Sequence, residues 1–191
     1  LTIDNLRSKY LINIETEKKI KFETNLNIIH NQIKQIENLV NEFSDFARMP
    51  KPLFKQNDLI VLLNENIKLI NRLNSKIKIN LSYNQKKEIN FNCDSEQISR
   101  VFLNLLKNSV ESINDKCQKN VDFKGIINIE INKVNDYITL GITDNGIGFA
   151  NKEKKDLIKP YYTTKKNGSG LGLSIVNKIV SDHNGSLILS N

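Results

Sequence analysis

Apolar residues in the first fifty positions recur at alternating steps of four and three. The positions are Phe22, Leu26, Ile29, Ile33, Ile36, Val40 and Phe43. This heptad pattern is typical of a helix that packs lengthwise against a partner helix. Leu6, Tyr10 and Ile14 indicate a second helix that precedes this one, and residues 14–21 would connect the two. We therefore expect an antiparallel helical hairpin, whose thin core favours pairing with a second copy into a four-helix bundle.

Pro50 and Pro52 end this helical pattern, because proline cannot continue a helix and restricts the residue before it. We place a domain boundary here, which divides the chain into residues 1–50 and 51–191. Beyond the boundary, periodicity predicts both helices and strands. The helices are expected over 60–73, 94–113 and 171–183, and the strands around 77–81, 127–131, 138–142 and 186–190.

These elements do not alternate strictly, which affects the fold class. Together they predict an α+β protein, in which the helical hairpin precedes an α/β sandwich with a mixed sheet and helices on one face. Asp94 and Gln97 have the spacing of a capping box at the start of the second helix. Residues 149–169 are expected to form a long irregular segment.

Composition excludes several classes of protein. Of 191 residues, 39% are hydrophobic and 26% are charged, which is typical of a soluble globular protein and not of a disordered tail. No run approaches the roughly 18 apolar residues that a membrane span needs, and no signal peptide opens the sequence. Cys93 and Cys117 are too few for a disulfide framework or a zinc site, so we expect both thiols to be structural.

The net charge of +7 raises the question of nucleic-acid binding. Arginine, whose bidentate fork suits base and phosphate recognition, occurs only at Arg7, Arg48, Arg72 and Arg100. Lysine supplies the rest of the positive charge and is spread along the chain. We therefore expect a solvated basic surface and no nucleic-acid partner.

A polar edge on the helix over 94–113 is the first candidate for chemistry. Asn104, Asn108 and Glu111 fall on one helical face by four- and three-residue steps. An amide oxygen is a hard neutral ligand that suits Mg²⁺, which completes its coordination with water and phosphate oxygens. A solvated polar face is the alternative.

Glycine-rich segments supply the next candidates. Asp144-Asn-Gly-Ile-Gly-Phe149 directly follows the strand around 138–142, so its carboxylate could accept a hydrogen bond from an exocyclic amine such as that of adenine. Gly168-Ser-Gly-Leu-Gly-Leu173 opens the last helix, where free backbone N–H groups can hold phosphate. A hairpin turn and a flexible hinge are the respective alternatives.

Pro160-Tyr-Tyr-Thr-Thr-Lys165 precedes the second glycine segment and completes the set. Lys165 or Lys166 could reach a phosphate from it. The order of the four segments resembles the asparagine box, first glycine box, phenylalanine box and second glycine box of the catalytic domain of sensor histidine kinases. Tyr161 and Tyr162 depart from the phenylalanine that is usual there. The segment Val40 to Pro50 resembles the dimerisation domain and exit linker of the NtrY type of these kinases.

This resemblance implies that ATP and Mg²⁺ bind here, with Asn108 as metal ligand and Asp144 facing the adenine amine. Residues 149–169 would form a mobile lid. The residues implied to contact the nucleotide are Asn104, Lys107, Asn108, Asp144, Gly146, Gly148, Thr164, Lys165, Gly168, Ser169, Gly170, Leu171, Gly172 and Leu173.

The resemblance further implies that phosphate passes from ATP to a histidine and then to an aspartate of a response-regulator receiver domain. A second copy of the chain and that regulator are the expected partners. In the family the acceptor lies in a His-Glu-x-x-Asn-Pro box, which this sequence lacks. Neither His30 nor His183 matches it, so we do not expect this chain to phosphorylate itself.

The segment from Leu1 to Tyr10 resembles the sequence just after that box, and the chain stops at a strand that the family follows with another. We therefore expect a portion truncated at both ends, which is cytoplasmic within a parent anchored in the inner membrane.

Three alternatives to the kinase function stay open. They are a pseudokinase-like docking module, another ATPase of the gyrase, MutL or chaperone kind, and a basic nucleic-acid binder.

Overall fold

The computed structural model describes residues 3–5, 16–74, 76–83, 88–118, 120, 122–135, 137–149, 154–165 and 168–190. The chain divides into two compact units. One comprises Leu1–Met49 with Lys165–Ser169, and the other Pro50–Thr164 with Gly170–Asn191. No described helix combines the length and the apolar composition that crossing a bilayer requires.

The first unit contains one long helix, α1, over Thr16–Ala47. It carries the whole heptad pattern and ends before Pro50, as predicted. Residues 16–21 are already helical, so the connection predicted over 14–21 was wrong in that part. Of the earlier predicted helix only residues 3–5 are described, and they are helical. Its apolar positions Leu6, Tyr10 and Ile14 lie outside the described residues.

The second unit is built from five strands and four helices in the described residues. The strands are β1 (Lys55–Asp58), β2 (Lys78–Tyr83), β3 (Asn90–Cys93), β4 (Ile126–Val134) and β5 (Tyr137–Asp144). The helices are α2 (Leu59–Leu73), α3 (Ser95–Cys117), α4 (Lys154–Leu157) and α5 (Gly172–Asp182). This mixed architecture confirms the predicted class.

The main sheet has the order β2-β4-β5, in which β2 and β4 are parallel and β4 and β5 are antiparallel. Successive side chains of a strand point to opposite faces, so one face collects every second residue. On β4, Ile127, Ile129 and Ile131 are buried, whereas Asn128 and Glu130 between them are exposed. Helix α3 packs against β5 and against both α2 and α5. The helices therefore cover one face of a mixed sheet.

A second sheet of two strands was not predicted. It pairs β1 antiparallel with β3, and these strands have few of the alternating apolar residues that identify a strand. Asn57 joins them by donating from Nδ2 to the Cys93 carbonyl oxygen (2.9 Å). Cys93 is fully buried, and this burial raises the pKa of its thiol. Cys93 and Cys117 are both free thiols, in keeping with a structural role.

Two other predictions need correction. The segment over 149–169 is not wholly irregular, because it contains the short helix α4. Residues 186–190, predicted to start a strand, form no strand, and Ile188 is 85% exposed. An alternating sequence becomes a strand only where another strand satisfies its backbone groups.

Asp94 caps α3 as predicted, because its Oδ1 accepts hydrogen bonds from the N–H groups of Glu96 (3.1 Å) and Gln97 (3.0 Å). The reciprocal half of the capping box is not formed. Gln97 instead donates from Nε2 to the Pro50 carbonyl oxygen (3.0 Å), and the Asp94 N–H donates to Nε2 of His183 (3.1 Å). The start of α3 is therefore bonded to the segment before β1 and to the end of α5.

His183 belongs to this same junction. Since its Nε2 accepts from Asp94, the neutral ring carries its proton on Nδ1 and donates to the Ile179 carbonyl oxygen (2.8 Å). Its ring packs edge-on against Phe54, with centroids 5.1 Å apart. The adjacent Leu53 N–H donates to Oδ2 of Asp94 (2.8 Å). These contacts give His183 a structural role at this junction.

We expect Asp94→Ala to lower the free energy of unfolding at pH 7 by about 2 kcal/mol, because a helix cap and a link to Leu53 are lost together. Partial burial acts to raise the pKa of Asp94, but hydrogen bonds from the N–H groups of Gln97, Leu53 and Glu96 outweigh burial and lower it. Its contribution is therefore complete above the unfolded pKa of about 3.9 and is lost as the pH falls through the lower folded value. Urea unfolding at several pH values measures this difference between the two proteins.

The exposed Asp122 supplies a control, since Asp122→Ala should change the free energy of unfolding by less than about 0.5 kcal/mol. An Asp94→Ala protein as stable as the unchanged chain at pH 7 would refute the capping role.

Candidate functional site

The polar edge of α3 begins with Asn104 and Asn108, which lie one helical turn apart. Asn104 is half-buried and donates from Nδ2 to the Arg100 carbonyl oxygen (2.9 Å), which leaves its Oδ1 directed away from the helix backbone. Asn108 is also half-buried. Lys107 and Glu111 are exposed on the same helix. The edge thus presents amide groups next to a surface lysine.

The turn after β5 lies against this same helix, farther toward its C-terminus. Asp144 is the last residue of β5, and its Oδ1 accepts hydrogen bonds from Oγ of Ser112 (3.1 Å) and from the Gly146 N–H (2.9 Å). The Ile147 N–H donates to the Ser112 carbonyl oxygen (3.2 Å). The carboxylate predicted to bind an amine is therefore held beside α3.

Gly146 permits this close approach. A side-chain carbon at this position would overlap the side chain and backbone of Ser112 and would lie 2.7 Å from the Ile113 nitrogen. Gly148, two residues on, has a φ of +68°, which glycine adopts without strain. Close packing at Gly146 and a positive φ at Gly148 therefore explain why both positions of the first glycine segment are glycine.

Asn145 fastens the other side of the turn to the sheet. Its Oδ1 accepts from the Ile126 N–H (2.8 Å), and its Nδ2 donates to the Lys124 carbonyl oxygen (2.9 Å). Lys116 on α3 donates from Nζ to the carbonyl oxygens of Asn145 (2.7 Å) and Gly146 (3.1 Å). The turn is thus bonded to both β4 and α3.

The second glycine segment reaches the same edge of α3 at Gly172, about two turns nearer the N-terminus of that helix. At Gly172, a side-chain carbon would lie 3.2 Å from Oδ1 of Asn104 and 4.0 Å from Nδ2 of Asn108. Helix α5 starts there, and no side-chain hydrogen bond caps it in the described structure. Leu171 is buried and Leu173 is half-buried, so both contribute to packing. The start of α5 therefore adjoins the asparagine edge of α3.

Gly170 also meets a steric requirement. Its φ is +70°, and a side-chain carbon would lie 2.8 Å from both the nitrogen and the oxygen of Tyr162. Tyr161 itself has a φ of +66°, which is uncommon for a residue with a side chain. The backbone of the tyrosine pair thus packs against Gly170, and Tyr161 is 60% exposed.

The remaining predicted residues lie before this glycine segment. Thr164 is exposed in the second unit. Lys165, Gly168 and Ser169 belong to the segment grouped with α1, where the Gly168 N–H donates to the Lys165 carbonyl oxygen (3.3 Å). Their predicted phosphate contacts stay predictions, and Lys166 lies outside the described residues.

Ser112, Lys116 and Asn145 were not predicted as site residues. The spacing carried a signal for two of them, because Ser112 and Lys116 continue the four-residue step from Asn104 and Asn108. Asn145 lies inside the first glycine segment, where the sequence indicates only a turn. Only the structure brings its side chain to β4.

The observed geometry suits an adenine nucleotide with a magnesium ion. Within the described residues nothing donates to Oδ2 of Asp144, so this oxygen can accept from an amine. The absence of a side chain at Gly172 leaves room beside the amides of Asn104 and Asn108. In the described part no three His, Cys, Asp or Glu residues are grouped to hold a metal. A metal here would therefore rely on amide and phosphate oxygens, the donor set that Mg²⁺ accepts.

Comparison with known proteins places these features in a family. The model of the histidine kinase-, DNA gyrase B-, and HSP90-like ATPase family matches residues 93–191. A Rickettsia conorii protein named as an NtrY-like sensor histidine kinase is 35% identical over 177 residues, covering 93% of this chain. The nitrogen regulation protein NtrY of Azorhizobium caulinodans is 30% identical over 191 residues, covering 100% of this chain. The chain spans only 28% and 24% of the lengths of these two relatives.

Solved structures agree with the fold. The histidine kinase ThkA in complex with the response regulator protein TrrA superimposes with a TM-score of 0.70 at 22% identity, over 96% of this chain and 51% of that one. The separate catalytic domain of ThkA superimposes with a TM-score of 0.56 at 26% identity, over 68% of this chain and 82% of that one.

We expect Gly146→Ala to lower the free energy of unfolding by about 1–3 kcal/mol, because the new carbon would overlap the backbone of α3, which cannot move aside as a flexible side chain could. Urea denaturation measures the loss. Gly141→Ala is the matched control, since its new carbon would meet nothing nearer than the Glu130 carbonyl oxygen at 4.0 Å. Equal stability of the two variants would contradict the close approach at Gly146.

Proposed function

This chain belongs to the histidine kinase-, DNA gyrase B-, and HSP90-like ATPase family, and we propose that it is the ATP-binding portion of a two-component sensor histidine kinase. The similarity to NtrY-like sensor kinases over 93% of the chain supports this choice within the family. In the parent protein, phosphate from ATP would pass to a histidine and from there to an aspartate of a response regulator. Residues 51–191 would form the catalytic domain, and residues 1–50 would belong to the dimerisation domain.

One observation supports the proposal: two separate segments, the turn after β5 and the start of α5, meet the same edge of α3. Gly146 adjoins Ser112, Gly172 adjoins Asn104, and Asp144 presents an oxygen without a donor among the described residues. The two glycine segments lie about two turns apart along α3, a spacing of about 12 Å that suits a base at one end and phosphates at the other.

Each residue type suits its proposed partner. Asn108 would bind Mg²⁺ through its amide, with Asn104 and Lys107 close to the phosphates, and the metal would neutralise phosphate charge. Asp144 would accept a hydrogen bond from the adenine amine. The backbone N–H groups of the segment 168–173 and the side chains of Thr164, Lys165 and Ser169 would contact phosphate.

Neither histidine of the chain is assigned as the phosphate acceptor. His183 is engaged with Asp94 and Ile179 through its two ring nitrogens. His30 lies exposed on α1, without the sequence box that surrounds the acceptor in the family. We propose that this chain binds ATP but does not phosphorylate itself.

Dimerisation through α1 is the proposed way in which two copies associate. Its apolar residues would pack between copies, as heptad positions do in a four-helix bundle. In the single chain the exposed apolar residues of α1 are Ile20, Ile28, Ile29, Ile33, Ile36, Leu39, Val40 and Phe43. The ThkA–TrrA complex supports a response regulator as the second partner of the parent protein.

We expect calorimetric titration of the purified chain with a non-hydrolysable ATP analogue to show binding that weakens when Mg²⁺ is removed. Asp144→Asn should reduce the affinity about 10- to 100-fold, because the adenine amine would lose a charge-assisted acceptor. Asp58→Asn is the matched control, since asparagine caps α2 as well as aspartate does.

Affinity unchanged in Asp144→Asn would refute the adenine role. No binding by a folded, unchanged chain would favour the docking-module alternative over the kinase. With hydrolysable ATP, acid-labile phosphate on His30 or His183 would contradict the absence of self-phosphorylation.

We expect the chain to sediment as a dimer at equilibrium. Ile36→Asp should weaken the dimer at least about 100-fold, because a charge would be buried without a partner between the helices. Val61→Asp on α2 is the control, because Val61 is 53% exposed, close to the 59% of Ile36, but lies outside the heptad pattern. A monomeric unchanged chain, or equal weakening by both variants, would exclude association through α1.

A further inference from the structure

The polar edge of α3 extends beyond the two asparagines. Asn104, Asn108, Ser112 and Lys116 follow one another at four-residue steps, each advancing about 6 Å along the helix. The first two adjoin Gly172, where the phosphates of the proposed nucleotide would lie. The last two contact the turn that carries Asp144. One helix edge therefore touches both ends of the proposed site.

Ser112 controls how the Asp144 carboxylate can turn. The last torsion of an aspartate side chain has a broad energy minimum, so one hydrogen bond to one oxygen does not hold its plane. Here Oδ1 accepts from two donors, Oγ of Ser112 (3.1 Å) and the Gly146 N–H (2.9 Å). Two donors on the same oxygen restrict rotation of the carboxylate, and no described residue donates to Oδ2.

Lys116 holds the turn that contains the second of these donors, the Gly146 N–H. Its Nζ bonds to the carbonyl oxygens of Asn145 (2.7 Å) and Gly146 (3.1 Å) and lies 4.6 Å from the centre of the Phe123 ring. The carbonyl groups immediately before and after the Gly146 N–H are therefore both bonded to a side chain of α3. The ammonium group is used up in holding the turn.

We propose that Ser112 is a positioning residue for adenine recognition. Its hydroxyl donates a hydrogen bond to Oδ1 of Asp144, so that Oδ2 is the oxygen that accepts from the 6-amino group of the base. Ser112 itself does not touch the nucleotide in this arrangement. The inference rests on the proposed function, since it concerns the same pocket. It differs from a general stabilising role, because its effect depends on whether the ligand carries the amine.

The test compares two nucleotides by calorimetry. One is a non-hydrolysable ATP analogue, and the other is the matching purine riboside triphosphate, which has hydrogen in place of the 6-amino group. In Ser112→Ala we expect the affinity for the ATP analogue to fall about five- to tenfold, with little change for the purine nucleotide. The preference for adenine should therefore fall by the same factor.

Two serine variants make the comparison specific. Ser112→Thr keeps a hydroxyl and should restore most of the preference. Ser99→Ala removes a hydroxyl from the same helix about 20 Å away and should leave both affinities unchanged. If Ser112→Ala does not fold, Ser112→Cys replaces it, because the thiol has a similar shape but donates weakly.

The outcomes separate this inference from the proposed function. An equal loss for both nucleotides, or no loss for either, overturns the positioning role. If Asp144→Asn abolishes the preference for adenine while Ser112→Ala leaves it intact, the proposed function stands and only this inference fails. If the unchanged chain binds neither nucleotide, both fail.

Discussion

The close approach of the turn after β5 to the backbone of α3 is the constraint on which the site depends. It requires glycine at position 146, because any side chain there would overlap Ser112 and Ile113. It brings the end of β5 within hydrogen-bond distance of the helix, so that Asp144 and Ser112 meet. The hydrogen bonds of Asn145 to the segment before and at the start of β4 hold the turn from the other side. A site carboxylate is thereby fixed by backbone and side-chain bonds that come from different elements.

Helix α3 combines packing and chemistry on different faces. Its buried face includes Phe102, Leu106 and Ile113 and packs against the neighbouring elements. Its polar edge begins at Asn104 and carries the proposed contacts with the nucleotide. Its N-terminus is bonded through Asp94 to Leu53, before β1, and to His183, after α5. A shift of the helix would therefore break hydrogen bonds to both of these segments. This rigidity suits a proposed site that must hold a flexible ligand in one geometry.

The elements that sequence reasoning predicted well are those whose burial follows a regular period. Helices α2, α3 and α5 and strands β2, β4 and β5 each place apolar residues on one side, and all were predicted close to their observed bounds. Strands β1 and β3 were missed, because their pairing relies on backbone bonds and on Asn57 rather than on alternating apolar residues. The segment over 186–190 shows the converse, since its alternation predicted a strand that does not form.

The sequence by itself determined which residues could act as ligands, because amide and carboxylate chemistry is a property of the residue. It also placed Asn104 and Asn108 on one helix edge, because a helix has a fixed period. Only the tertiary structure decided that Asp144 meets Ser112, that Gly172 adjoins Asn104, and that His183 takes the N–H which a capping box would have used. These contacts join residues 32, 68 and 89 positions apart. No local period spans such distances, so they depend on how the sheet, the turns and the helices pack together.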